Sequence, residues 1–579
     1  MNRRTHLLSP LLLGLLLASG GPATAASVAP VAAENGMVVS AQHLATRVGV
    51  DVLKAGGNAV DAAVAVGYAL AVVYPAAGNL GGGGFMTLQL ADGRKTFLDF
   101  REKAPLAATA DMYLGPDGNV VPGLSTKGHL AVAVPGSVSG LEMARAQYGT
   151  LPRAALLAPA IRLAEQGFVL QQGDVDMLRV ATDDFRKDPA TAAIFLNQGA
   201  PFEVGQTLVQ ADLARTLRRI SDEGAGGFYQ GPVGAALVAS SRAGKGLITQ
   251  ADLDQYRTRE LKPVECDYRG YRVVSAPPPS SGGVVLCQML NVLEGYPLKD
   301  WGFRAAQAVH VQIEAMRHAY MVRNTYLGDP DFVTNPLERL LDKAYAARLR
   351  AVIDPARAGN SRDILPGSPP HEPWKEGSNT THYSIVDQAG NAVSVTYTLN
   401  DWFGARVTAA GTGVLLNNEM DDFTAKPGVP NLYGLVQGKA NAIAPGKRPL
   451  SSMSPTIVSK DGQPVMVVGT PGGSRIITVV LHAILNVIDY GMSIQEAVDA
   501  PRFHQQWLPP ATNLERFALS PDTQKILEGM GHSFGTPQPP NHMAAVLVGG
   551  PSLGGKPVGR NRFYGANDPR RNTGLAAGY

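Results

Sequence analysis

Between Thr380 and Asn400 the chain reads T-T-H-Y-S-I-V-D-Q-A-G-N-A-V-S-V-T-Y-T-L-N, a hairpin with small hydroxyls gathered on one face. A three-residue loop of Gln388, Ala389 and Gly390, with Gly390 in the left-handed region, pairs Asp387 with Asn391 and sets Thr398 opposite Thr380. Side chains alternate along a strand, so Thr381, Tyr383 and Ile385 join Val393, Val395, Tyr397 and Leu399 in an apolar layer. The other face carries Thr380, His382, Ser384, Ser394, Thr396, Thr398 and Asn400, with cross-strand neighbours roughly 5 Å apart. A core strand rarely needs so many hydroxyls.

A threonine hydroxyl is a weak nucleophile, and one activation open to it is an adjacent N-terminal amine, whose pKa of roughly 7.7–8 suits a general base. Thr380 lies mid-chain, so that chemistry requires a break between Asn379 and Thr380. Two blander readings compete. One is an amphipathic hairpin with a hydroxyl-rich outer face; the other makes Asn379-Thr380-Thr381 an N-glycosylation site, whose glycan would fill the same face. Just upstream, Asp363–Asn379 is rich in Pro, Gly, Ser and charge without a period, which predicts an exposed loop.

The elements around the hairpin mix helices and strands. Gln42–Ala55 and Ala59–Val73 read as helices, the second with Asn58 as N-cap and Asp61 completing a capping arrangement. That second helix is apolar nearly all round, which places it in the core. Strand-like runs occur at Gly84–Leu90, Arg272–Ala276, Ser454–Val458, Val465–Val468 and Ala544–Val548, and helical ones at Leu213–Glu223, Gln307–Asn324, Ile476–Tyr490 and Ile494–Ala500. Such a pattern fits an α/β fold with helices packed on both sides of paired sheets, a four-layer α/β/β/α sandwich among other mixed folds.

Composition narrows the class. Of 579 residues 45% are hydrophobic and 17% charged, ample for a large globular core. Arg3 and Arg4, an apolar run around Leu11–Leu17 and Ala23-Thr24-Ala25 read as a signal peptide over residues 1–26, so the chain is expected in the periplasm or secreted. Losing those two arginines brings the formal charge from +3 to +1, which suggests neither nucleic acid nor an anionic membrane as partner. No later run of about 20 apolar residues predicts a membrane span. Cys266 and Cys287 are expected to be two buried, unpaired thiols, with a bridge as the alternative that export permits.

Several chemistries are disfavoured. The 11 histidines form no H-E-x-x-H and two cysteines cannot build a four-Cys zinc site, so no metal is expected. No P-loop or dinucleotide fingerprint is present, and Gly136-Ser137-Val138-Ser139-Gly140 puts Val138 where a nucleophile elbow needs serine. No cofactor is expected.

The run T-T-H-Y-S-I-V-D with G-N-A-V-S-V-T-Y-T-L-N after it resembles the processing site of γ-glutamyltranspeptidases, members of the N-terminal-nucleophile hydrolase superfamily. Other matching segments follow in order, among them A-G-G-N-A-V-D-A-A-V-A (55–65), D-F-R-E-K-A-P (99–105), Y-L-G-D-P-D-F (326–332), L-L-N-N-E-M-D-D-F (415–423), P-L-S-S-M-S-P-T (449–456) and G-T-P-G-G-S-R (469–475). They run through almost the whole chain beyond the leader.

The resemblance implies the four-layer sandwich and autocatalytic cleavage between Asn379 and Thr380 into a large subunit, 27–379, and a small one, 380–579, sharing one fold. It implies Thr380 as nucleophile, Thr398 as the residue orienting it, and Gly472-Gly473 as the oxyanion hole. Arg101 matches the carboxylate-binding arginine, with Ser451 and Ser452 as neutral donors to the same carboxylate. Asn400, Glu419 and Asp422 match the acceptors for an ammonium; some members carry glutamine at the position of Glu419. Pro427–Gly438 is similar to a lid loop, with Tyr433 meeting Asn400. Donors would be γ-glutamyl compounds such as glutathione, and acceptors water, amino acids or peptides. A glutaryl-type β-lactam acylase of the same fold is the enzyme alternative, and an unprocessed binding protein the non-enzyme one.

Overall fold

The computed structural model describes residues 27–364, 380–537, 539 and 541–579. The signal peptide expected over 1–26, Asn379 and most of the expected loop lie outside them; the beginning of that loop is instead a short helix, Ser361–Ile364.

Two seven-stranded antiparallel sheets form the centre. One runs in the order Val31–Ala33, Phe563–Asn567, Ala544–Val548, Gln463–Gly469, Thr456–Lys460, Tyr271–Ser275, Val264–Tyr268. The other runs Leu575–Gly578, Met37–Ser40, Thr381–Val386, Ala392–Thr398, Gly83–Gln89, Lys95–Phe100, Arg259–Leu261. The hairpin thus sits inside the second sheet, and its strands face Gln463–Gly469 and Ala544–Val548 of the first.

Each sheet buries its outer face under helices. Against the second lie His43–Lys54, Ala59–Val73 and Ser137–Tyr148; against the first lie Gly282–Leu293 and Ile476–Ile488, with Ala306–Tyr326 packed on Gly282–Leu293. The architecture is the expected α/β/β/α sandwich. Helix Ala59–Val73 is buried at every position, and its start is fixed by the capping box of Asn58 and Asp61. Asp387, at the mouth of the hairpin, accepts from the Ala59 N–H at 2.8 Å, and Tyr397 donates to the Gly67 carbonyl at 2.9 Å. The apolar face of the hairpin is therefore locked to the helix at both ends.

Register follows the expectation: Thr381 pairs with Tyr397 and Val386 with Ala392, Asp387 N–H bonds to Asn391, and Gly390 has φ 94°. The hydroxyl-rich face is not an outer face. It is buried between the sheets, where Ser384 donates to the Ala544 carbonyl and Ser394 to that of Val468.

The cysteines correct the sequence reading: Cys266 and Cys287 form a disulfide with Cα atoms 5.8 Å apart. Cys266 lies in strand Val264–Tyr268, paired in register with Val273, and helix Gly282–Leu293 folds back over these strands to bring Cys287 across. Spacing alone does not reveal that return. Closing a loop of this length stabilises a fold by roughly 2–4 kcal/mol. A Cys266→Ala/Cys287→Ala variant is expected to lose about that much in denaturant titration, and an unchanged midpoint would contradict it.

Candidate active site

The end of the hairpin opens into a cavity lined by Arg101, Thr380, Thr398, Asn400, Glu419, Asp422, Tyr433, Ser451, Ser452 and Gly473, with Arg323, Leu435, Met453, Ser474 and Ile476 completing the wall. Of the catalytic and substrate-binding residues expected from the sequence, all but one line it, while Asn379 of the expected cleavage site lies outside the described residues. The exception is Gly472, which backs onto Asn541.

Thr380 is buried and donates its hydroxyl to Thr398 Oγ1 at 3.1 Å. Thr398 Oγ1 also accepts from the Asn400 N–H at 2.8 Å, which fixes the position of the acceptor oxygen. Thr380 has φ 77° and Asn400 φ 75°. Positive φ is strained for a β-branched threonine, and such strain collects at functional sites.

Two residues along the same face, His382 bonds Thr396 Oγ1 through Nδ1 and Ser384 Oγ through Nε2. Ser384 has already given its proton to Ala544, so Nε2 carries the hydrogen and Nδ1 accepts from Thr396. Burial pushes this imidazole down to about 3, leaving it neutral. It is structural support for the polar face and does not line the cavity.

The charged wall is self-paired. Arg101 donates from Nη1 to Glu419 and from Nη2 to Asp422, and all three side chains are largely withdrawn from solvent. Burial alone would lower Arg101; the surrounding carboxylates of Glu419, Asp422 and Glu102 outweigh it and raise the guanidinium above its ordinary value. Ser452 Oγ accepts from Arg323 at 2.9 Å, while Ser451 Oγ accepts from the Met453 N–H at 3.1 Å.

Tyr433 donates to Asn400 Oδ1 at 2.6 Å, and Gln506 Nε2 bonds the carbonyls of Tyr433 and Gly434. The loop Pro427–Gly438 is thereby packed down, with Tyr433 and Leu435 buried. On the far side of the cavity, Gly472 (φ 127°) and Gly473 (φ 53°) form the turn before helix Ile476–Ile488. A hydroxyl, a glycine turn that brings Gly473 to the cavity and a paired plus/minus wall make a site fit for acyl transfer to a zwitterionic substrate.

Comparison with known proteins decides the family. The γ-glutamyltranspeptidase family model matches residues 45–578. The chain belongs to the γ-glutamyltranspeptidase family. It is 74% identical over 556 residues to a glutathione hydrolase proenzyme of Pseudomonas sp. (strain A14), covering 96% of each chain. Among solved structures, a cephalosporin acylase from Bacillus halodurans superposes with TM-score 0.81 at 27% identity, covering 98% of this chain and 99% of that one. A Helicobacter pylori γ-glutamyltranspeptidase chain gives TM-score 0.55 at 46% identity, covering 56% of this chain and 93% of that one. The sandwich is that of the N-terminal-nucleophile hydrolases.

In this member of the family, sequence reasoning missed two buried charges. Arg323, near the end of helix Ala306–Tyr326, bonds Ser281, Asn324, Gln437 and Ser452; a lone arginine just before Y-L-G-D-P was its only sign. Glu102, beside Arg101, was passed over as a motif neighbour. One ligand-type cluster also went unseen, His310, Glu314 and His532. There the imidazoles bond each other at 2.8 Å and Arg317 occupies the carboxylate, so the group reads as a tie between elements.

A Cβ on Gly472 would stand 2.1 Å from Asn541 Nδ2 at a φ that side chains rarely adopt. Gly472→Ala is expected to cost roughly 1–3 kcal/mol and to depress activity together with it. A thermal melt that matches the unmodified protein would show that the turn tolerates a side chain.

Proposed function

We propose that this chain is a γ-glutamyl hydrolase and transferase, exported and matured by its own cleavage, acting on glutathione or related γ-glutamyl amides. The observation that carries the reading is the placement of the Thr380 hydroxyl in the same cavity as the Arg101–Glu419–Asp422 group. The disulfide supports an oxidising compartment, and among the described residues no helix is long and apolar enough to cross a membrane.

Maturation begins with attack of Thr380 Oγ on the Asn379 carbonyl carbon. The peptide bond is exchanged for an ester, the nitrogen leaves as the α-amine of Thr380, and water hydrolyses the ester to free the Asn379 carboxylate. The strained φ of Thr380 favours leaving the peptide form. A family member's solved chain that spans only just over half of this one supports division into two chains.

No histidine or lysine lines the cavity among the described residues, so the unmasked amine is the base in position to take the hydroxyl proton. Oγ then attacks the γ-carbonyl while Thr398 holds its direction, and the oxyanion is met by N–H groups of the Gly472-Gly473 turn. The C–N bond breaks, the ammonium returns its proton to the leaving amine, and the γ-glutamyl ester passes to water or to an amino-acid or peptide amine.

The empty pocket pairs its own charges, so a zwitterion enters by exchange. Its α-carboxylate takes Arg101 with Ser451 and Ser452, and its ammonium takes Glu419, Asp422 and Asn400, each ion pair being replaced by another. A glutaryl group keeps the carboxylate but has no ammonium, so it would take Arg101 and leave Glu419 and Asp422 without a cation in exchange. That separates this reading from an acylase like the one in the superposed structure.

Purified protein is expected to run as two bands, the smaller beginning Thr-Thr-His-Tyr, while Thr380→Ala stays one inactive chain; a fully active single chain would sink the mechanism. In kcat/KM, γ-glutamyl-p-nitroanilide is expected to exceed glutaryl-p-nitroanilide by on the order of 10⁴ or more. Asp422→Ala should shrink that preference, and comparable turnover of the two compounds by the unmodified enzyme would favour the acylase.

A further inference from the structure

Glu102 does not line the cavity, yet it is fully buried with Oε2 3.8 Å from Arg101 Nη1. Its carboxylate fills the space left by Gly83, where a Cβ would stand 2.6 Å from Oε2. Gly83 is the register partner of Thr398, so Glu102 stands behind the strand end that carries the site. Among the described residues no other residue's N–H or hydroxyl donates to either of its oxygens, or to Oε2 of Glu419.

Orphaned, buried carboxylate oxygens are costly, and two carboxyl groups relieve the cost when one proton bridges them. Among the described residues no other donor reaches these oxygens. Of the nearby phenols, Tyr256 donates to the Arg101 carbonyl at 2.8 Å and Tyr229 to that of Pro135 at 2.9 Å. Three carboxylates, Glu102, Glu419 and Asp422, face the single guanidinium of Arg101. The next cation, Arg323, bonds serine hydroxyls and amide oxygens instead. One proton on the trio leaves two negative charges against two guanidinium groups.

We propose that Glu102 and Glu419 hold one proton between them in the empty pocket, and that a substrate α-ammonium expels it when it settles on Glu419. Glu102 is thus a positioning residue. With the proton in place Glu419 behaves like the glutamine some family members carry there; with the proton gone it presents a full charge to the ammonium. Burial raises both carboxyls, Glu102 to about 7 and Glu419 well above its ordinary range, against the pull of Arg101. The exchange therefore falls near neutral pH. This inference rests on the γ-glutamyl reading of the pocket.

A ligand whose binding releases a proton binds more tightly as pH rises. L-Glutamate, titrated calorimetrically into the cleaved enzyme in buffers of different ionisation heat, is expected to release about half a proton at pH 7, with Kd falling roughly three- to tenfold from pH 6 to 8. In Glu102→Gln the only acidic neighbour left to Glu419 is Asp422, which is already engaged by Arg101 Nη2, and in Glu419→Gln the dyad is likewise gone. Both variants are expected to lose that release and that slope, whereas titration of the Thr380 amine would persist in both. A buried residue of purely structural importance would change Kd without changing the proton count. Binding of L-glutamate without proton release, or with the same release in both variants, overturns the shared proton alone. Failure of L-glutamate to bind the unmodified enzyme overturns the γ-glutamyl reading and the proton pair with it.

Discussion

Burying a face of hydroxyls between two sheets is the constraint on which the rest of the molecule depends. Each such group must find a partner inside, and the sheets are joined by these bonds as well as by packing. Thr87 donates to the Pro455 carbonyl, Ser384 to that of Ala544 and Ser394 to that of Val468, while Ser275 meets Thr456 at 2.9 Å within the first sheet. Small side chains keep the layers close; His382 fits only because Gly469 has no Cβ to strike its ring. Where this layer ends, at Thr380 and Thr398, the sheets stop satisfying each other and the cavity begins.

The charged wall solves a second problem at the same place. Isolated charges of this degree of burial would be strongly unfavourable, so the pocket has to be neutralised before any substrate arrives. Arg101 does this with Glu419 and Asp422, and the neighbouring Glu102 adds a third carboxyl that needs a proton. An uncharged analogue gains nothing from such a wall, whereas a zwitterion repeats its pairing. Selectivity and stability of the empty site therefore have one physical origin.

Local rules made much of this legible. The hairpin register came from alternation and a single left-handed glycine, and helix Ala59–Val73 from its capping residues and apolar run; both are short-range features. The residues of the cavity were reached through family resemblance, because Arg101, Glu419 and Ser451 stand far apart in the chain and only the fold brings them together. Contacts that no motif marks were missed for the same reason. Arg323 reaches Ser452 across 129 positions, and the disulfide depends on a helix folding back over its strand. Even the alternation misled in one respect, since a polar face suggests solvent unless a second sheet is known to cover it.

Strand order explains why a break at Thr380 is compatible with one fold. Strand Thr381–Val386 lies between Met37–Ser40 from before the proposed break and Ala392–Thr398 from after it, and Leu575–Gly578 pairs on the far side of Met37–Ser40. The first sheet interleaves in the same way, with Val31–Ala33 at one edge and Tyr271–Ser275 and Val264–Tyr268 at the other. Helix Ala306–Tyr326 adds ties across the two parts, with Tyr320 donating to the Ser474 carbonyl, Arg323 to Ser452 and His310 bonded to His532. Neither part can complete its sheets alone, so under the proposed cleavage the chain would fold before it breaks. The amine that this cleavage would release would lie inside a finished interface, beside a hydroxyl already bonded to Thr398, so the proposed nucleophile and base would need no later rearrangement to meet.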